Sequence, residues 1–212
     1  MKHMKLLATA GAAGALALLA GCASTPWGGT TYVAQLQPMN TRVTGGATTG
    51  QATFTERGGQ LVMDVQVKGA PAGIEHWQHF HGFQDGKSAT CPAAASDANH
   101  DGIVDLIETG PAAGTTMVPF IQHPATMDIP HGTYPVADAS GAYHYRVTVP
   151  VAELQAAFAK QFPGQQLDLD KRVVFIHGVP AATRLPASVQ SLGPIPAQVT
   201  LPIACGVIRK AG

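Results

Sequence analysis

Charge is what this chain has least of. Asp, Glu, Lys and Arg make up 12% of its 212 residues, thirteen of each sign, and the formal net charge is zero. Nothing in that balance suggests nucleic acid or an acidic partner. Cysteine is scarce too, at three residues. There are no internal repeats and no low-complexity tail. The chain also lacks a Ser/His/Asp hydrolase elbow, a phosphate-binding Gly loop and a pair of catalytic carboxylates. It is rich instead in turn formers, with 24 Gly, 16 Pro and 45% hydrophobic residues. That mixture suits short strands joined by long loops and argues against a helical bundle.

Thr31–Leu36 and Gln51–Thr55 read as strands. In Leu61–Lys68, Leu61, Met63, Val65 and Val67 alternate with Val62, Asp64, Gln66 and Lys68, the pattern of a half-buried strand. Glu56-Arg57-Gly58-Gly59 signals a hairpin between the last two. The ribbon His76–Phe83 follows, so Leu61–Phe83 predicts consecutive antiparallel strands. Asp85–Gln122 shows no long periodic pattern. Tyr143–Val149 alternates again and leaves His144 as a surface histidine. Val151, Leu154, Phe158 and Phe162 recur at helical spacing and predict a short amphipathic helix over 151–162, after Pro150. Arg172–His177 reads as a strand with Val173, Phe175 and His177 on one face. Gly178–Pro196 reads as a loop, and Val199–Ile208 as the last strand. The expected fold is all-β, a closed or nearly closed antiparallel barrel.

Three of the nine histidines fall in Gly73–Phe83: His76, His79 and His81. Residues two apart in a strand share a face, so His79 and His81 can meet one metal ion. Neutral imidazole suits copper or zinc. Trp77, Phe80 and Phe83 can pack nearby and exclude water. A pair of histidines two apart is weak evidence by itself.

The N-terminus is a separate matter. MKHMK is a basic lead-in, and Leu6–Ala20 is a small apolar run, short for a membrane span. Leu19-Ala20-Gly21-Cys22 resembles the bacterial lipobox. That resemblance implies a signal peptide over 1–21, lipid on Cys22, a tether over 22–30 and one domain over 31–212. Ala23 then implies sorting to the outer membrane of the envelope. The alternatives are an ordinary signal peptide or a transmembrane anchor. With Cys22 lipidated, Cys91 and Cys205 remain, and in an oxidising compartment two thiols are expected to pair.

Gly73-x-x-His76-x-x-His79-Phe80-His81 resembles the G-x-H-G-F-H-x-H signature of the copper/zinc superoxide dismutases. Cys91 lies where that family has its first disulfide cysteine. Val173-Val174-Phe175-Ile176-His177 resembles the strand that brings its last copper histidine. Ala204-Cys205-Gly206-Val207-Ile208 resembles its C-terminal A-C-G-V-I. The four islands span roughly 31–208. The resemblance implies a Greek-key β-barrel or sandwich and copper-dependent dismutation of superoxide. It implies His79, His81 and His177 as copper ligands and His76 as a brace that touches no metal. It also implies the Cys91–Cys205 disulfide.

The sequence departs from that family in three places. An insertion follows Cys91, and the H-x-G-D end of the zinc loop is absent. His123 and His131 are both left as candidates for a fourth copper ligand, and zinc is expected to be lost or altered. Pro202 stands where the family keeps an Arg that draws superoxide in; Arg184 could replace it or could be an ordinary solvated side chain. The helix over 151–162 is an addition. A non-enzymatic metal protein, for storage, delivery or surface interaction, therefore stands as the other expectation.

Residues 97–108 of the insertion match the twelve-residue EF-hand loop at each ligating position. Asp97, Asn99 and Asp101 offer side-chain oxygens, Gly102 the sharp turn and Ile103 a carbonyl. Asp105 and Glu108 complete a set of hard donors for calcium, and Val104 fits the apolar plug. Pro92–Ser96 is a poor incoming helix, and Pro111 is expected to stop the outgoing one. His100 is expected to face solvent. The alternative is a polar surface loop.

Overall fold

The computed structural model describes residues 29–212. The signal segment 1–21, Cys22, Ala23 and most of the 22–30 tether lie outside the described residues. Among the described residues, no helix is long and apolar enough to cross a membrane.

Eight strands make one curled antiparallel sheet: β1 (Thr30–Pro38), β2 (Thr49–Arg57), β3 (Gln60–Lys68), β4 (Gln78–Gly82), β5 (Thr115–Pro119), β6 (Tyr143–Pro150), β7 (Val173–His177) and β8 (Pro202–Val207). Their spatial order is β5-β4-β7-β8-β1-β2-β3-β6, and the two-residue β9 (Arg209–Lys210) pairs with β1. The fold is all-β with few short helices: α1 (Thr41–Thr44), α2 (Leu106–Ala113), α3 (Val151–Gln161) and α4 (Ala197–Thr200). No backbone pairing joins β5 to β6 among the described residues. Two tyrosines of β6 bridge that gap. Tyr143 donates to Gln78 Oε1 (3.2 Å), and Tyr145 donates to the Ile121 carbonyl (2.7 Å).

The alternation in β3 has its physical cause in the core. Leu61, Met63, Val65 and Val67 are buried with Phe54, Phe80 and Phe120 inside the curl. The β2–β3 hairpin closes with Arg57 opposite Gln60. Its two turn residues, Gly58 and Gly59, both take positive φ (57° and 75°), the geometry that fits strand twist and excludes most side chains. α3 lays Leu154 and Phe158 on the core, as its spacing predicts.

Three expectations need correction, and one strand, β5, is an addition to them. Leu61–Phe83 is not a run of neighbouring strands: β3 pairs with β2 and β6, whereas β4 lies between β5 and β7. The reason is burial. All five residues of β4 are buried, and so are all five of β7, so both need cover on both faces and a central position. β5 forms inside the stretch without visible period. The last strand starts at Pro202, because 197–200 coil into α4. Finally, α2 runs through Pro111 to Ala113. The carbonyl left without its donor is that of Ile107, a solvent-exposed residue.

The cover on the outer face of β4, β7 and β8 comes from the stretch after β4. Ala89 and Ala113 pack with Val173, Phe175 and Cys205 in a second apolar cluster. Cys91 and Cys205 form a disulfide, with Cα atoms 5.8 Å apart across 114 positions of sequence. That bond fastens the cover to β8.

Candidate metal centre

β4 and β7 are adjacent and antiparallel, with His79 opposite Phe175 and His81 opposite Val173. Period-two alternation puts Phe80, Val174 and Ile176 into the main core. His79, His81 and His177 therefore share the outer face, under the cover. Both strands are irregular at the histidines. The β4–β5 register shifts between Phe80 and His81, and the β7–β8 register between Ile176 and His177. Such irregularities re-aim side chains. His177 comes opposite Pro202, which has no N–H to offer the ladder; the His177 carbonyl lies 3.0 Å from His76 Nδ1, and the His177 N–H donates to the Trp77 carbonyl (2.8 Å).

The three rings converge. Ring centroids are 4.8 Å apart for His79–His177, 5.4 Å for His79–His81 and 5.8 Å for His81–His177. One ring nitrogen from each lies within 4.8 Å of the others. Two nitrogens on one ion at ~2.0–2.1 Å are at most ~4 Å apart, so the cluster is near metal-binding size and slightly open. All three are buried, at 3%, 1% and 1% exposure. The residues have the chemistry to hold a metal ion, and among the described residues no other group of three His, Cys, Asp or Glu side chains brings its ligand atoms this close together.

The hydrogen bonds say which nitrogens are committed. His177 Nδ1 lies 2.7 Å from the Thr200 carbonyl, so it carries the proton and leaves Nε2 as a lone pair. His81 Nε2 is 3.1 Å from Thr116 Oγ1. What remains is His81 Nδ1, His177 Nε2 and both nitrogens of His79, four buried polar atoms without a hydrogen-bond partner. Natively folded chains rarely leave such groups unpaired, and a metal ion would satisfy three at once. Burial pushes all three histidines down from the ordinary range. For His79 and His81 it acts first and their histidine neighbours add to it, placing both well below; His177 falls to about 4. The rings are thus neutral near pH 7, the form that ligates metal.

His76 is buried beside the cluster and outside it. Its Nδ1 is 3.0 Å from the His177 carbonyl and its Nε2 2.9 Å from the Pro71 carbonyl, and its ring stacks on Tyr143. His123 and His131 are both exposed, and neither joins the cluster; His131 contacts Asp128 instead (3.0 Å). His144 sits on the outer surface against Asp64, and His100 is exposed.

A cleft of about 220 Å³ adjoins His79 and His177. Trp77, Leu106, Ile129, Leu192 and Ile195 supply its apolar walls, and Thr115, Thr116 and Thr200 the remainder. Arg184 does not line it; that side chain lines another groove, with Arg42 and Asp101.

The 97–108 loop is tightly folded around its own carboxylates. Asp97 accepts from the N–H groups of Asp101 (3.2 Å) and Gly102 (2.8 Å), and Gly102 takes φ 85°. Asp105 and Glu108 form a capping box at the start of α2. Asn99 accepts from the Asp101 N–H, and the Glu108 carboxylate from those of Ala98 and Asn99. Ile103 and Val104 are buried.

Several supporting residues carry no sequence signal of their own. Thr116 belongs to the strand without visible period. Thr200 acts through its backbone carbonyl, which no side-chain pattern reveals. Asn40 clamps the loop to β8: its amide donates to the Val104 and Pro202 carbonyls and accepts from the Val104 N–H. No family model matches the chain, and comparison with curated proteins finds no match.

Proposed function

We propose that this chain is a copper-binding protein of the bacterial envelope, built on a barrel of the copper/zinc superoxide dismutase type and anchored by lipid on Cys22. The observation that carries the proposal is the convergence of three buried, neutral imidazoles with unpartnered nitrogens. Copper is favoured over the other divalent first-row ions because nitrogen sites bind Cu²⁺ most tightly. The Greek-key reading is supported by the connections. The chain leaves β3 next to one sheet edge, enters β4 next to the other, and returns from β6 to β7 across the same gap.

Bound copper would supply one-electron redox chemistry, the chemistry by which superoxide disproportionates to dioxygen and peroxide. The chain's own residues do the rest. The Thr200 carbonyl and Thr116 hydroxyl orient His177 and His81. His76 holds the His177 backbone, and the cover excludes bulk water. A second reading, a copper holder without turnover, is favoured by the absence of any Lys or Arg among the cleft residues. With Pro202 where the copper/zinc superoxide dismutases keep an Arg, no cation among the described cleft residues draws the anion in.

Copper-loaded protein is to be assayed for superoxide dismutation alongside the His79→Ala variant. Activity lost in that variant supports the enzyme; tight, silent copper selects the holder. The 97–108 loop is proposed as a calcium site through Asp97, Asn99, Asp101, Ile103, Asp105 and Glu108. Glu108→Gln should weaken calcium binding in a calorimetric titration and leave copper untouched. Replacing Cys22 with Ala should move the protein from the membrane to the soluble fraction; unchanged membrane retention would sink the anchor.

A further inference from the structure

We propose that the cleft above His79 and His177 is a binding site for a small neutral molecule with an apolar body and one lone-pair donor, such as an azole or a phenol. The inference deepens the metal reading by naming what the site admits. It rests on that reading only where the donor atom meets metal.

Three observations carry it. First, the walls are apolar: Trp77, Leu106, Ile129, Leu192 and Ile195 surround a space of about 220 Å³. That space exceeds what a single aromatic ring requires, since engineered apolar cavities of roughly 150 Å³ admit benzene. Second, no Asp, Glu, Lys or Arg among the described residues lines the cleft. An anion entering it would shed its water without meeting a cation on the walls. Two of the three threonine hydroxyls on the walls are already engaged. Thr116 is engaged with His81, and Thr200 with Ser191 and the Ala197 carbonyl. Third, the floor is polar and unsatisfied. His79 is buried with neither ring nitrogen partnered, and Nε2 of His177 is also free. A neutral His79 ring presents one N–H and one lone pair. A ligand with a single donor atom can therefore anchor at the histidines while its body lies against the indole and aliphatic walls.

Such selectivity runs against capture of a small anion. It accords with a metal site that is slow toward superoxide.

The test is a calorimetric titration of the full chain, metal-free and copper-loaded, with imidazole, 4-phenylimidazole and azide. Added apolar area should make 4-phenylimidazole bind at least about tenfold tighter than imidazole in either form, and tighter than azide in the copper form. Leu192, at the rim and 52% exposed, can be changed without disturbing the core. Leu192→Glu should abolish the preference, with an unchanged circular dichroism spectrum. A preference in a chain that takes up no copper would support the cleft and contradict the metal reading. Copper uptake with imidazole and 4-phenylimidazole bound alike in both forms, or with azide bound most tightly, would overturn the cleft proposal and leave the metal reading standing.

Discussion

His79 shows most plainly what the site does to the chain. Both of its ring nitrogens are buried and unpartnered, and each such group costs about 1–3 kcal/mol. Replacing it with Leu, of similar volume, should stabilise the metal-free protein by about that amount while abolishing copper binding. Equilibrium urea denaturation reads the first effect and a copper titration the second. A destabilised variant would mean that His79 makes bonds the geometry does not show. His177 adds a pH dependence. Burial holds it at about 4, below its ordinary 6.5, so the unfolded chain takes the proton first. The metal-free protein should be most stable above pH 6.5. Protonation of His177 by itself should then lower stability by on the order of 3 kcal/mol as pH drops toward 4, and His79 and His81 act in the same direction. Denaturation midpoints at pH 7 and pH 4.5 give the comparison; equal midpoints would contradict burial of a neutral ring. Thr116→Val removes the partner of His81 Nε2; it should weaken copper binding roughly 10–100-fold and, by leaving that buried nitrogen unpartnered, cost the metal-free protein about 1–3 kcal/mol.

At the scale of elements, the helix and the histidine strands face different tasks. α3 packs Phe158 into the core, and Arg172 lies over that ring. Phe158→Ala should cost about 3–5 kcal/mol in urea denaturation and leave copper affinity intact, because the histidines lie on the other face of the sheet. Elements with a regular period were legible in the sequence for this same physical reason. β3 and β6 have one face in the core and α3 has one stripe, so their alternation shows. β4 and β7 are buried on both faces, so nothing in their residues announces their neighbours. β5 is too short and irregular to show a period. The histidine trio was legible through a family resemblance, because His79-Phe80-His81 and the Val173–His177 strand are local patterns that can carry one. Its supports were not: a carbonyl of Thr200, at the end of α4, and an amide of Asn40, just before α1, depend on a chain path that only the tertiary structure fixes. His123 and His131 illustrate the converse, since neither loop position predicted whether the chain would turn the ring toward the cluster.

Over the whole molecule, one sheet curls around an apolar core and a second layer of loops is fastened outside it. The Cys91–Cys205 disulfide is the fastener. Closing a loop of 114 positions is worth about 4–5 kcal/mol in the chain-entropy model. Reduction should lower stability by that order and make bound copper more labile, because the cover over β7 and β8 is then held only by packing and by hydrogen bonds such as those of Asn40 and the Ala89 N–H. The loop at 97–108 joins the same layer through Asp101 and Asp105, which accept from Ser188 and Gln190 of the segment that also carries Leu192 into the cleft wall. The centre of this arrangement is the histidine trio. Its most direct measurement is a copper titration followed by electron paramagnetic resonance, on the parent chain and on His79→Ala, His81→Ala and His177→Ala. One tightly held Cu²⁺ with nitrogen hyperfine structure, weakened in each of the three variants and unchanged in His131→Ala, is the expected result. Copper bound equally well by all four variants would place the metal elsewhere and contradict the assignment.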